Sequence, residues 1–326
     1  MTQGFPDKIF NVKEEDFPRL ALDIFNFQYL NNDVYRSYTD ALGVNPQNIK
    51  KPAEIPFLPI GFYKTHTIQT TSFAPEIIFE SSGTSQTTKS LHYVRESGIY
   101  RRSFTEGFER FYGPVMDWCI IGLLPSYLER TGSSLVYMVE ELIKRGRHEK
   151  SGFYLHDHAR LFETLQQLEK QQQKTLLIGV SFALLDFSEK FRMKLKHCLV
   201  METGGMKGKR KEIVRPEMHQ LLKESFGVSS VHSEYGMTEL LSQAYSKANG
   251  IFESPPWMRV MVRDEDDPFD VRENGAGILN IIDLANIWSC SFIATDDAGK
   301  VSPDGKFEVL GRVDNSDLRG CNLLLT

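Results

Sequence analysis

The sequence predicts an α/β protein, with mixed or parallel sheets covered by helices and a small β-barrel-like subdomain after them. Three observations carry that prediction. Up to about residue 240, short apolar runs alternate with amphipathic stretches, the pattern of buried strands flanked by helices. Beyond Glu239 the chain turns to short β-prone runs separated by turn signals. Its 326 residues are enough for two ordinary domains or for one large unit built of subdomains.

In chain order, Lys51 to Lys64 (KPAEIPFLPIGFYK) carries three prolines and reads as an extended connection, because each proline disfavours helical backbone at the residue before it. Ile99, Phe104, Phe108 and Phe111 recur at near-helical spacing, which predicts a helix with one core-facing stripe. Val115 to Leu124 (VMDWCIIGLL) and Thr175 to Val180 (TLLIGV) read as buried strands. Between them, Leu161, Phe162, Leu165 and Leu168 predict a second amphipathic helix that ends in a polar QQLEKQQQ tail. The later runs MRVMVRD, GILNIIDL, FIATDD and KFEVLGRVD are strand-like, punctuated by turns at Glu273-Asn274-Gly275 and Pro303-Asp304-Gly305. One catalytic domain is expected, with α/β subdomains over 1–240, the β subdomain over 241–316 and a short tail over 317–326.

Composition excludes several classes. With 38 basic and 43 acidic residues the formal charge is −5, which supplies no field to attract nucleic acid or an anionic membrane. The most apolar stretch, Trp118 to Leu128, contains Pro125 and falls far short of the ~20 residues of a membrane helix, so no integral membrane association is expected. The N-terminus has neither the basic start nor the apolar run of a secretory signal. Cys119, Cys198, Cys290 and Cys321 are widely spaced without a CxxC pair, so no disulfide framework is expected and the cytoplasm is the expected compartment. The first three lie in apolar surroundings and read as buried small hydrophobes.

Four segments carry chemistry. Phe79 to Tyr93 (FESSGTSQTTKSLHY) sets hydroxyl residues and Gly83 before Lys89, a composition that brings donors and a positive charge to phosphate oxygens. Taken alone it reads equally well as a Ser/Thr-rich surface loop. A Walker A reading fails at Thr88, which stands where that motif has its second glycine. Ser233 to Leu240 (SEYGMTEL) offers a ring that can stack on a base and, in Glu239, a carboxylate that can hold Mg²⁺ beside a phosphate. Thr295-Asp296-Asp297 supplies a carboxylate for ribose hydroxyls, and Gly311-Arg312-Val313-Asp314 follows, then Leu318-Arg319-Gly320.

In this order, and with Thr203-Gly204-Gly205, these segments resemble the adenylate-forming superfamily of acyl-CoA synthetases, luciferase-type ligases and peptide-synthetase adenylation domains. The resemblance implies the fold of that superfamily's N-terminal domain, with ATP and Mg²⁺ as cofactors. It assigns Ser81, Ser82, Gly83, Thr84, Ser85 and Lys89 to the ATP phosphates, with Lys89 also a catalytic cation. Gly204 and Gly205 would border the adenine and acyl pockets, and Tyr235, beside Gly236, would pack on adenine. Thr238 would serve phosphate, Glu239 Mg²⁺, and Asp297 and Arg312 the ribose; His232, Met237 and Gly205 would line the acyl pocket. Two departures stand out: Asp296 replaces the usual glycine of Thr-Gly-Asp, and Asp317 stands where many relatives carry a hinge lysine. The chain stops six residues after Gly320, where full-length relatives continue into a mobile lid of roughly 100 residues with a catalytic lysine, so a lid-less domain is expected.

Within the superfamily, three segments resemble the acyl-protein synthetases of the LuxE type: IPFLPI at Ile55–Ile60 leading to Lys64, LPSYLER at Leu124–Arg130 with SSLV at Ser133–Val136, and the tail Leu318-Arg319-Gly320-Cys321. That resemblance implies activation of a carboxylic acid, in that family a fatty acid, to acyl-AMP. The acyl group then passes to a cysteine near the C-terminus and on to a reductase partner, and Cys321 sits at that place. An acyl adenylate is a mixed anhydride that a thiolate attacks readily, and the resulting thioester can still be passed on. Coenzyme A as the acceptor, or a binding subunit without chemistry, are the alternatives. His156-Asp157-His158 lacks a third metal ligand, His92 reads as an ordinary polar residue, and Lys207 to Lys211 (KGKRK) reads as a solvated charge run.

Overall fold

The computed structural model describes residues 4–82, 88–125, 131–204 and 213–313. Among them thirteen strands form one sheet. From one edge run Gly152–Phe153, Cys119–Leu123, Thr175–Gly179, Cys198–Glu202 and His232–Tyr235, all parallel. The sheet then continues antiparallel through Ala244–Ser246, Ile251–Glu253, Phe307–Arg312, Phe292–Val301, Gly275–Asp283, Met258–Arg263 and Val271–Arg272. The two regions separated by sequence texture therefore share one sheet. His232–Tyr235, parallel to one neighbour and antiparallel to the other, joins them.

The parallel strands read as continuous apolar runs because helices cover both faces. Side-chain alternation sends Cys119, Ile121 and Leu123 into one core with Leu161, Leu165 and Leu168 of helix His158–Lys170. Ile120 goes into the other core, with Phe104 and Phe108 of helix Ser97–Tyr112 and Val139 and Leu142 of helix Ser134–Gly146. Both predicted amphipathic helices are present. The His156-Asp157-His158 triplet is a helix start, with Asp157 Oδ1 accepting from the Arg160 amide at 3.0 Å.

Two local expectations change. Val115–Asp117 is a turn of 3₁₀ helix after Pro114, and the strand begins at Cys119. Lys51 to Lys64 is not uniformly extended: it holds a 3₁₀ turn at Pro52–Glu54, a short strand at Leu58–Pro59 paired with Phe292–Val301, and a helical turn at Phe62–Thr65. Pro52 sits in the first turn, where no amide donor is needed, and Glu54 takes up the free amides of Lys50 and Lys51 at 2.7 and 3.1 Å.

Near the N-terminus, helix Phe17–Asn31 buries Gln28, whose side-chain amide donates to the carbonyls of Asn286 and Ile287 at 3.1 and 3.0 Å. Its carbonyl accepts from the Ser291 amide at 2.9 Å. One side chain thus clamps the loop that carries Asn286.

Candidate active site

Tyr235 to Glu239 begins at the carboxyl end of the strand where the sheet changes from parallel to antiparallel, a place where a crevice opens for ligands. The Tyr235 hydroxyl donates to Asp297 Oδ2 at 2.8 Å, and Arg312 Nε donates to Asp297 Oδ1 at 3.3 Å. Asp297 and Arg312 face each other across the ladder between Phe292–Val301 and Phe307–Arg312. Three expected nucleotide residues from distant segments therefore meet in one hydrogen-bonded group. The Tyr235 ring is buried edge-on against Phe252 and Phe307. Burial and the neighbouring Asp297 carboxylate hold its phenol well above the usual range, so it stays a donor that orients that carboxylate.

The backbone after Tyr235 is held by three side chains from two segments. His92 Nδ1 donates to the Thr238 carbonyl at 2.8 Å, and burial lowers the imidazole to about 4, which keeps it neutral. Asn286 donates to the Glu239 carbonyl at 2.6 Å. Asp283 accepts from the amides of Leu241 and Ser242 at 2.8 and 3.0 Å and from the Ser242 hydroxyl at 2.6 Å. The Glu239 carboxyl is raised by burial, against the Ser90 side chain and the charges of Arg312 and Lys64, which lower it. Lys64, from the connection near the N-terminus, thus acts electrostatically on the expected metal ligand.

Ser90 closes the neck of the phosphate-type loop. The Ser81 amide donates to the Ser90 carbonyl at 3.1 Å, and the Ser90 amide donates to Ser81 Oγ at 2.9 Å. Lys89 is not in the Tyr235–Asp297–Arg312 group; it pairs with Glu80 at 2.9 Å, with both side chains nearly half exposed. An exposed pair contributes about 0–1 kcal/mol, so a phosphate group can take the lysine from Glu80. Ser82 is exposed beside the loop. Gly83, Thr84, Ser85, Gly205 and Cys321 lie outside the described residues, as do Asp317 and the Lys207–Lys211 run.

Beside Gly204 lies a cavity of about 860 Å³, lined in part by Glu202, Gly204, Arg215, His219, Val309 and Gly311. A volume of that size accommodates a small-molecule ligand. Gly204 has φ +71°, a conformation that favours glycine, and its amide donates to Glu202 Oε2 at 2.7 Å. Glu202 also receives Arg215 Nε at 3.1 Å and the Ser181 hydroxyl at 3.3 Å, with His219 at 3.6 Å. Burial alone would raise this carboxyl, but His219, Arg215, Ser233 and the Gly204 amide outweigh it and hold it near 2. Sequence reading missed Glu202, Arg215 and His219; the faint signal was an acidic residue closing an apolar strand just before Thr-Gly-Gly.

His232 and Glu234 share the opposite side of the strand from Tyr235. The His232 ring lies 3.3 Å from the Tyr112 hydroxyl, and burial with nearby Lys247 lowers it to about 4. Met237 is half-buried against the core.

A family model for acyl-protein synthetases, LuxE, matches residues 9–326. The chain belongs to the acyl-protein synthetase family. It is 25% identical to the long-chain-fatty-acid–luciferin-component ligase of Vibrio harveyi, over 94% of this chain and 86% of that protein. In fold it is similar to 2-hydroxyisobutyryl-CoA ligase in complex with 2-HIB-AMP and CoA, with a TM-score of 0.61, 13% identity, and coverage of 95% of this chain and 78% of that one. ATP-bound MatB from Rhodopseudomonas palustris matches with a TM-score of 0.55 and 17% identity over 74% of this chain, which spans 50% of the MatB chain. The likeness is to the N-terminal domain of adenylate-forming enzymes. This chain is thus an ATP-dependent, AMP-forming ligase, and among the described residues no helix is long and apolar enough to cross a membrane.

An acyl-protein synthetase needs a thiolate, and three of its cysteines do not offer one. Cys119, Cys198 and Cys290 are buried as expected. Burial raises all three thiols, Cys119 to about 11 and Cys290 to about 12, which keeps them protonated and unreactive at neutral pH.

Proposed function

We propose that this acyl-protein synthetase condenses a carboxylic acid of the fatty-acid class with ATP and passes the acyl group to Cys321, for delivery to a reductase partner. The acid's carboxylate oxygen attacks the α-phosphorus and pyrophosphate leaves. The Cys321 thiolate then attacks the acyl carbonyl, forming the thioester as AMP departs with the C–O bonding pair. The Tyr235–Asp297–Arg312 group is the observation that carries the reading: it presents an oriented carboxylate for ribose hydroxyls beside a cavity that borders Gly204 and Gly311. The high thiol pKa values of the other cysteines support Cys321 as acceptor. The relative's name, a long-chain-fatty-acid ligase, supports the substrate class.

Gly204 would border adenine, the Ser81–Ser90 loop with Lys89 would take the phosphates, and Thr238 would face the α-phosphate. Positioning and charge neutralisation would supply most of the catalysis. No cluster of three metal-type ligands exists among the described residues. Mg²⁺ binds through one or two carboxylates plus substrate phosphates; Glu239 would hold it, and the ion would neutralise phosphate charge.

The test is intact mass of the full chain after ATP, Mg²⁺ and a fatty-acid mixture. One acyl adduct that hydroxylamine removes is expected. Cys321→Ser should abolish the adduct and retain pyrophosphate exchange; a hydroxylamine-sensitive adduct on that variant would overturn the acceptor.

A further inference from the structure

We propose that the acyl side of this site recognises a hydrogen-bond donor, a hydroxyl or an amine, on the acyl chain through Glu234, Gln243 and Tyr245. Within the fatty-acid class proposed above, the preferred acid is then one that carries such a substituent. This rests on the carboxylic-acid activation proposed above and adds the substrate's chemistry.

Strand alternation turns Glu234 to the same side as His232, away from the face where Tyr235 meets Asp297. Tyr235 serves the nucleotide side, so the tail of the acid belongs on the side of His232 and Glu234. There Glu234 stands directly opposite Tyr245 in the antiparallel ladder. Its carboxyl folds over Gly236, where an added Cβ would lie 2.5 Å from Glu234 Oε1 and 3.6 Å from Gln243 Nε2. Tyr245 packs on Phe111 and Tyr112 at 5.3 and 5.4 Å, and Tyr112 reaches His232.

Three polar groups here have no partner among the described residues. The Tyr245 hydroxyl and Gln243 Oε1 are buried and unbonded, in residues only 2% and 5% exposed. The half-buried Glu234 carboxyl has neither a hydrogen bond nor a nearby cation; burial and the charge of Glu202 push it up to about 8. Buried polar groups are rarely left unmatched, and a methylene chain would match none of these. A hydroxyl can donate to Glu234 or Gln243 and accept from Tyr245, and an ammonium can donate to all three.

The test is pyrophosphate exchange by the full chain with butyric, β-hydroxybutyric and β-aminobutyric acids and their octanoic counterparts. Sites that hydrogen-bond a substrate group reject analogues lacking it by up to ~10⁴-fold, so kcat/KM should favour a substituted acid by roughly 100-fold or more. Glu234→Leu and, as the milder change, Tyr245→Phe should collapse that ratio, chiefly through KM of the substituted acid. Glu234→Gln should keep a hydroxy acid and lose an amino acid, which identifies the donor. Equal or better use of the plain acids by the natural chain, or a ratio that none of the variants moves, would overturn the inference while leaving the activity intact. Exchange with no acid at all would overturn the activity and this inference together.

Discussion

Glu202 and Glu234 sit on adjacent parallel strands of one sheet, yet their surroundings push them in opposite directions. Glu202 receives Arg215, Ser181, the Gly204 amide and nearby His219, and stays ionised down to about 2. Among the described residues Glu234 has no cation and no donor; it carries the repulsion of Glu202, and rises to about 8. Depth alone therefore does not decide a buried carboxyl's charge; its partners do. Glu202 fastens the Gly204 segment to helix Arg215–Phe226, while Glu234 keeps its hydrogen-bonding capacity for a ligand.

Breaking the compensated side should have the largest effect. Arg215→Met leaves the Glu202 charge buried without its main cation and should cost about 3–5 kcal/mol in denaturant unfolding, with much of it recovered in the double variant that adds Glu202→Gln. Between the ordinary glutamate value of 4.5 and about 2, the unfolded chain binds the proton that native Glu202 refuses. Stability from this group is thus present above 4.5 and lost as pH falls towards 2.

The uncompensated side has the opposite sign. Between 4.5 and about 8, native Glu234 keeps a proton that the unfolded chain releases, so its contribution is full below 4.5 and is lost as pH rises towards 8. Melts of Glu234→Gln across that range should run flatter than those of the natural chain, with the variant the more stable of the two at the alkaline end. The exposed Lys89–Glu80 pair gives the limiting case, where water does the compensating. Glu80→Gln should change stability by less than ~0.5 kcal/mol, and a larger shift in its melt would mean that the pair is not solvent-screened.

The legible parts of this molecule are those that short stretches of chain determine. The apolar run Thr175 to Val180 and the Phe104/Phe108 stripe became a strand and a helix, because burial on two faces or on one leaves a periodic trace. The motif residues Tyr235, Asp297 and Arg312 were legible as a set and do meet. Charge partners leave no such trace. Arg215 and His219 look like ordinary polar residues of a helix, and only the fold points them at Glu202. Asn286 and Asp283, which hold the backbone of the Tyr-Gly motif, come from another segment altogether. Glu234 lies inside the Tyr-Gly motif but on the other side of its strand, and its significance depends on Tyr245 across the ladder.

The clamp made by Gln28 has a consequence for biosynthesis. It grips Asn286, which lies 258 residues later in the chain, so helix Phe17–Asn31 leaves the ribosome long before its partner loop exists. At ~5–20 residues per second the wait is on the order of 10–50 seconds, during which Phe25 of that helix lacks its late partner Phe292. Yield of folded protein in cells should therefore depend on translation speed and on chaperones that hold the nascent N-terminus.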